Sequence, residues 1–390
     1  MKQLVQLGAG KIGRSFIGQV FARNGWHVTF IDVDKELIAL LNEKGSYQVT
    51  SVSGDTSQTV EVTGIRAIDA NDEQQVIEAI VNCDIISTSV GKQILPRIAP
   101  LLAAALVKRY ELKPTVALDL IIAENIHDGD SIIFELLANQ LPPDFPLADY
   151  LGLIQTSIGK MVPIQDPSDK LTLIAEPFNT LVLDKKGFKK EIPPFAEIEA
   201  VTPISAYVDR KLYIHNLGHA VGSYIGFALH PDALYLADVL EDEKVYALTK
   251  KAMEEGSELL LASHPGVFTA KALDEYKEDL LARFKNKILG DTLFRIGRDL
   301  KRKLRYDDRL MGAILAAYNH KTSFTAIAYA YKLALSFKAT DENGALFGPD
   351  VTFFQRLENK TLEQQILLAS GLQKAELPQS IIDTILRSSL

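Results

Sequence analysis

One cysteine is all the chain has. Cys83 cannot form an intrachain disulfide, and its neighbours Val81, Asn82, Asp84 and Ile85 supply no second thiol for a metal or redox motif. A reducing compartment fits this scarcity, and the cytoplasm is the expected location. Long apolar runs are missing too. The longest, IAPLLAAALV at 98–107, is too short to span a bilayer and contains a proline. The N-terminus has no signal-peptide architecture, because an apolar strand starts at once and runs into a glycine turn. There is no surplus of positive charge either: a net charge of −8 disfavours bulk attraction to nucleic acid or anionic membrane, so neither is expected as a partner. No zinc-ligand spacing, internal repeat or low-complexity tract is present, and no metal is expected.

What is present is apolar sequence enough for two cores: 390 residues, 47% of them hydrophobic. The first 33 residues or so alternate strand, glycine turn, helix and strand, a β-α-β unit. The alternation continues through a helix at 34–44, strand-like SYQVTSV and VEVTGIRAI, a helix at 73–81, the buried strand CDIISTSVG, a helix at 93–107 and the strand TVALDLIIAEN. Two further β-rich stretches occupy 150–190, and beyond about 200 helical periodicity dominates. The predicted fold is α/β: a Rossmann-type, doubly wound, mostly parallel sheet over 1–195 with a β-rich extension, then a mostly α-helical substrate or catalytic domain over 196–390. The proline-rich EIPPFAEIEAVTP at 191–203 marks the expected boundary.

The turn Gly8-Ala9-Gly10-Lys11-Ile12-Gly13 matches G-x-G-x-x-G between a predicted strand and helix. Gly8 permits the tight turn, Gly10 lets a pyrophosphate approach the backbone, and Gly13 lets helix and strand pack closely. The helix N-terminus presents free N–H groups to phosphate. Asp32, at the end of the second strand, is placed to accept from an adenosine ribose and to repel a 2′-phosphate. NAD is therefore the expected cofactor, with Arg14 and Lys35 the nearby cations that weaken the preference over NADP.

A bound nicotinamide needs a partner that handles a proton. Tyr207-x-x-x-Lys211 imitates the pair of short-chain dehydrogenases, but the glycine spacing is wrong and Pro193 and Pro194 occupy the region of their serine. Helical placement at about 100° per residue puts His215, His219 and Asn216 about 40°, 80° and 140° from Lys211. Lys211-x4-Asn216-x2-His219 resembles the active-site signature of the polyol-specific long-chain dehydrogenases, the mannitol dehydrogenase family. The resemblance extends to LGAGKIGRSFIG, TSVG at 88–91, AEN at 123–125, RKLYIHNLGHA at 210–220 and RIGRDLKRKLRYDDRL at 295–310. Length and glycine turn look most like the members acting on mannitol 1-phosphate.

The resemblance implies that Lys211 is the general base, that Asn125 and Asn216 donate to the developing oxyanion, and that His219 orients a small-molecule polyol or sugar-phosphate substrate. Val90 and Gly91 would join the cofactor site. A lysine in a cleft beside a cationic cofactor has reason to lose its proton, and each amide donor would contribute roughly 2 to 4 kcal/mol to an oxyanion. His215 matches nothing in the signature, and Asn125 could instead cap a helix. Within the basic run, Arg302 and Lys303 are the candidate phosphate clamp, with Lys160 a further substrate contact. Gly159-Lys160 stands where the family commonly has Asp-Arg, and Leu300 replaces a frequent proline. Another polyol, another sugar phosphate or a hexuronate therefore stays open as substrate, as does oligomeric state. A 3-hydroxyacid dehydrogenase, which spaces its lysine and asparagine four apart, and a non-catalytic NAD sensor fit less well.

Overall fold

A computed structural model describes residues 1–54, 56–163 and 165–389. They form two compact units, Met1–Val208 and Asp209–Leu390. The strands of the first are β1 (Gln3–Leu7), β2 (His27–Asp32), β3 (Ser46–Ser53), β4 (Thr56–Thr63), β5 (Ile65–Asp69), β6 (Ile85–Thr88), β7 (Leu118–Ile122), β8 (Leu151–Ser157), β9 (Thr172–Ala175), β10 (Leu181–Asp184) and β11 (Ile198–Val201). Eight of them form one sheet in the order β11-β10-β8-β7-β6-β1-β2-β5. From β5 to β8 every pairing is parallel, and β10 enters antiparallel to β8. This is the order of a doubly wound dinucleotide-binding sheet, whose direction of winding reverses between β1 and β6.

Strand composition explains the burial. β7 is buried along its whole length and β1 at four of its five residues, as expected for strands covered by helices on both faces. One apolar core gathers Leu4, Phe16, Phe21, Trp26 and Phe30, and the other Val5, Ile80, Ile86, Leu106 and Leu120. Asp34 and Asp72 cap the Lys35–Lys44 and Glu73–Asn82 helices by accepting from Leu37 and Gln75 N–H. Arg109, buried in the Leu95–Leu112 helix, donates to the carbonyls of Val81 and Cys83 and closes the other end of the Glu73–Asn82 helix. Cys83 is buried there, and burial pushes its thiol up to about 12.

VEVTGIRAI, read above as one strand, divides at Gly64. A φ of +72° breaks the extended run, so β4 joins a three-stranded sheet with β3 and β9 while β5 joins the large one. The stretch expected to be a boundary supplies β11, paired in parallel with β10.

The second unit is helical among the described residues. Its central Leu217–Leu229 helix carries Gly218, Gly222 and Gly226 at four-residue spacing, where a Cβ would press on Met253, Leu236 and Val239. Those glycines let the Leu236–Val239 and Glu243–Ser263 helices pack close. Gly256 does the same for the carbonyl of Tyr213. Glu255, fully buried, accepts from Ser323 and Thr325 hydroxyls and from Ala326 and Ile327 N–H, anchoring the start of the Thr325–Ala334 helix.

Candidate active site

In the first unit a cavity of ≈ 780 Å³ lies at the carboxyl ends of the strands, where ligands bind in such sheets. Of the expected cofactor residues, Gly8, Gly10, Asp32 and Val90 line it. Gly8 has φ +90°, and a Cβ there would sit 2.9 Å from the carbonyl of Ser89. A Cβ on Gly13 would collide with the Gly8 carbonyl, whereas one on Gly10 would meet nothing within 4 Å, leaving room for a phosphate at that point of the turn. Ala9 N–H donates to Asp32 Oδ2 (2.7 Å), and Val33 and Asp34 N–H donate to Oδ1. Lys11 turns outward, its ammonium 3.0 Å from the Pro163 carbonyl. Ile12 packs partly buried against the core.

Arg14 is buried, donates to the Ala9 and Lys170 carbonyls and lies over the Tyr47 ring, while Lys35 pairs with Asp69. Both cations that weakened the NAD preference are thus engaged elsewhere. Val90 and Gly91 are held by a residue that the sequence reading missed. Glu124, buried, accepts from Thr88 Oγ1 (3.0 Å), Val90 N–H (2.8 Å) and Gly91 N–H (3.0 Å), and burial raises its pKa. Asn125 follows it, exposed on a bend beyond β7. The next helix starts at Gly129 with Asp128 before it, so Asn125 is not its cap. Lys160 is buried, with Nζ 2.5 Å from Asn179 Oδ1 and 5.5 Å from the Phe16 ring centre. A Cβ on Gly159 would find ordinary contact with Phe178, so space does not demand glycine there.

In the second unit Lys211–Asn216 is a π-helical segment, and Leu217 N–H donates to the Leu212 carbonyl five residues back. Five-residue hydrogen bonding stacks residue i over i+5. Lys211 and Asn216 therefore share a face, and the separation of about 140° expected from α-geometry is corrected. Lys211 is half-buried, and burial together with the positive charge of Arg309 pushes its pKa down to about 8. Arg309, also missed, donates from Nη1 to the Asn216 carbonyl (3.4 Å) and from Nε to Asp308.

His219 stacks on Phe284, with ring centres 4.9 Å apart and planes 13° from parallel. Its Nε2 is 2.9 Å from Asp291 Oδ2; a carboxylate only accepts, so this nitrogen carries the proton. Asp291 also pairs with Arg295. His215 is buried beside the same phenyl ring, and burial holds its pKa well below the usual value, keeping it neutral. The expected clamp is otherwise occupied: Arg302 binds Asp299 (2.6 Å) and Asp308 (3.0 Å), and buried Lys303 donates to the Ile296 carbonyl. Among the described residues no cluster of three or more His, Cys, Asp or Glu could hold a metal ion, and no helix is long and apolar enough to cross a membrane.

Residues 2–197 match the family model described as the mannitol dehydrogenase Rossmann domain, and 203–385 that of the mannitol dehydrogenase C-terminal domain. The chain is 31% identical over 392 residues to mannitol-1-phosphate 5-dehydrogenase of Streptococcus pneumoniae strain Hungary19A-6, covering 99% of this chain and 100% of the relative. The same figures hold for the protein of that name from strain CGSP14. Among solved structures it resembles Pseudomonas fluorescens mannitol 2-dehydrogenase in ternary complex with NAD and D-mannitol, with a TM-score of 0.75, 16% identity, and 99% and 91% of the two chains covered. With both of its halves matched and a relative aligned end to end, the chain belongs to the mannitol dehydrogenase family.

Proposed function

We propose that this protein is a cytoplasmic, NAD-dependent, metal-independent dehydrogenase that interconverts mannitol 1-phosphate and fructose 6-phosphate, with Lys211 as general base. The observation that carries the reading is the state of Lys211, a half-buried amine brought to about 8 by burial and Arg309. Such a group gives up and regains a proton near neutral pH, as acid–base catalysis requires. The name shared by full-length relatives points to the substrate pair.

In this reading the N-terminal unit holds the cofactor. Gly8, Ala9, Gly10, Lys11, Ile12 and Gly13 cradle the pyrophosphate, Asp32 receives the ribose hydroxyls, and Val90 and Gly91 complete the wall. NAD supplies a hydride acceptor when bound. The C-terminal unit handles the proton: the Lys211 amine takes it from the substrate hydroxyl during oxidation and returns it during reduction. Asn125 and Asn216 donate to that oxygen as charge grows, and His219, fixed by Asp291 and Phe284, orients the polyol. Lys160 remains a candidate substrate contact.

A second reading keeps the chemistry and changes the substrate to another polyol or a hexuronate; Gly159 in place of the family's acid favours it. Loss of NADH absorbance with fructose 6-phosphate, and separately with fructose, tests both. Rapid turnover confined to the phosphate is expected; turnover of a hexuronate with neither of these would replace the first reading with the second.

A further inference from the structure

The basic run from Arg295 to Arg309 holds several cations, and nearly all have partners. Arg295 has Asp291, Arg302 has Asp299 and Asp308, Lys303 has the Ile296 carbonyl, Arg305 has Asp307, and Arg309 has Asp308. Lys301 is an exposed, solvated charge. Arg298 differs from all of these. It is half-buried, its guanidinium lies 5.2 Å from the Phe294 ring centre and 5.1 Å from that of Phe347, and no carboxylate or carbonyl among the described residues accepts from it.

The acid next to it in sequence and the one held against that turn have other partners. Asp299 gives its carboxylate to Arg302, and Asp350 accepts the N–H groups of Asp299 and Leu300 (2.9 and 2.8 Å). We propose that Arg298, set between Phe294 and Phe347, is the docking point for the phosphate group of a phosphorylated sugar or polyol substrate.

The two rings lie close to the guanidinium without accepting its N–H groups, and a fork of such donors matches two phosphate oxygens at once. The local charge fits as well. Arg298 stands close enough to Arg295 to disfavour the charge of that neighbour, and Asp291 is shared between Arg295 and His219. Arg295 has Asp291 to balance it, whereas no carboxylate balances Arg298 among the described residues, a positive charge that a phosphate monoester, carrying about −1.5 to −2 at neutral pH, would neutralise. Contacts run from His219 through Asp291 to Arg295, whose charge Arg298 opposes from the same unit, so the phosphate end would lie beyond the histidine that orients the polyol. The inference rests on the dehydrogenase reading above and names the residue that selects phosphorylated substrates, replacing the Arg302–Lys303 pair.

The test is the ratio of kcat/KM for fructose 6-phosphate to that for fructose, in the full chain and in Arg298→Met and Arg298→Lys. Arg298→Met removes the fork but keeps an apolar stem between the rings; the ratio should fall about 10- to 100-fold, through KM rather than kcat, with Arg298→Lys between the two. Thermal melting followed by circular dichroism checks that both variants are folded. An unchanged ratio, or equal losses on both sugars, overturns the proposal. If the parent protein reduces neither sugar, the mannitol 1-phosphate reading fails separately, and inorganic phosphate decides the site: a rise in melting temperature with phosphate that Arg298→Met abolishes supports it, and an equal rise in both proteins overturns it.

Discussion

Among the described residues each unit contains one π-helical segment, Gly13–Gly18 in the first and Lys211–Asn216 in the second, and the two use the same widened backbone for opposite ends. All six residues of the first are buried, and its two glycines make room for neighbours: Gly13 for the Gly8 carbonyl, Gly18 for the Phe30 ring and the Tyr47 hydroxyl. Here the extra residue per turn serves packing, and the functional groups are backbone N–H groups in the turn before it. In the second segment the same device stacks Lys211 over Asn216 and brings side chains to one face. A π-segment therefore does not mark one kind of chemistry. What it presents depends on whether glycine or long polar residues occupy it.

The contrast predicts different failures. Replacing Lys211 with Met should lower kcat about a hundred- to ten-thousand-fold while NADH still binds, as judged by fluorescence titration; unaltered kcat would remove the lysine from the chemistry. Gly13→Ala should act on packing and cofactor affinity together. Its new methyl meets the Gly8 carbonyl, so a loss of about 1 to 3 kcal/mol in urea unfolding is expected alongside weaker NADH binding. Normal stability with normal affinity would mean that the first segment tolerates side chains after all.

Smaller effects should separate the residues around the second segment. Asp291→Asn weakens the acceptor that fixes His219 and removes the charge facing Arg295, so KM for the ketose should rise about tenfold with a smaller change in kcat. The pH profile gives the finest test. With Lys211 near 8, polyol oxidation should rise with pH through about 8 as the free amine forms, and ketose reduction should decline over the same interval as the protonated form is lost. Arg309→Met removes a positive neighbour and should move both midpoints upward by about half a unit to one unit, while Asp308 keeps Arg302 as partner. A downward shift would show that Arg309 acts on Lys211 by some route other than charge.

How much of this the sequence disclosed follows from the range of the interactions. The strand, glycine turn and helix around Gly8–Gly13 were legible because each signal is local: an apolar strand, missing Cβ atoms at fixed spacing, an acid at the end of the next strand. The family was legible in the spacing of Lys211, Asn216 and His219 together with the matched segments around it. The π-helical turn was not, because the reading spread these residues over an arc of about 140° by α-helical rotation and nothing in LYIH announces five-residue hydrogen bonding. Glu124, Asp291 and Arg309 escaped notice for a different reason. Glu124 reaches Thr88 across 36 residues, and Asp291 reaches His219 across 72, so no local spacing betrays either. Arg302 and Lys303 were chosen for charge and family position, but their partners could be seen only once Asp299, Asp308 and the Ile296 carbonyl had been placed beside them.

The carboxylate of Asp32 bears on any attempt to redesign cofactor preference. It is the proposed ribose acceptor, yet it already ties the glycine turn to the end of β2 through Ala9, Val33 and Asp34 N–H. Exchanging it for a small neutral residue to admit a 2′-phosphate would also strip three backbone donors of their acceptor and loosen the turn that holds the pyrophosphate. A variant that accepts NADP well will therefore need a second change supplying a new acceptor for Ala9, so the two dinucleotides are separated by a compound step in sequence.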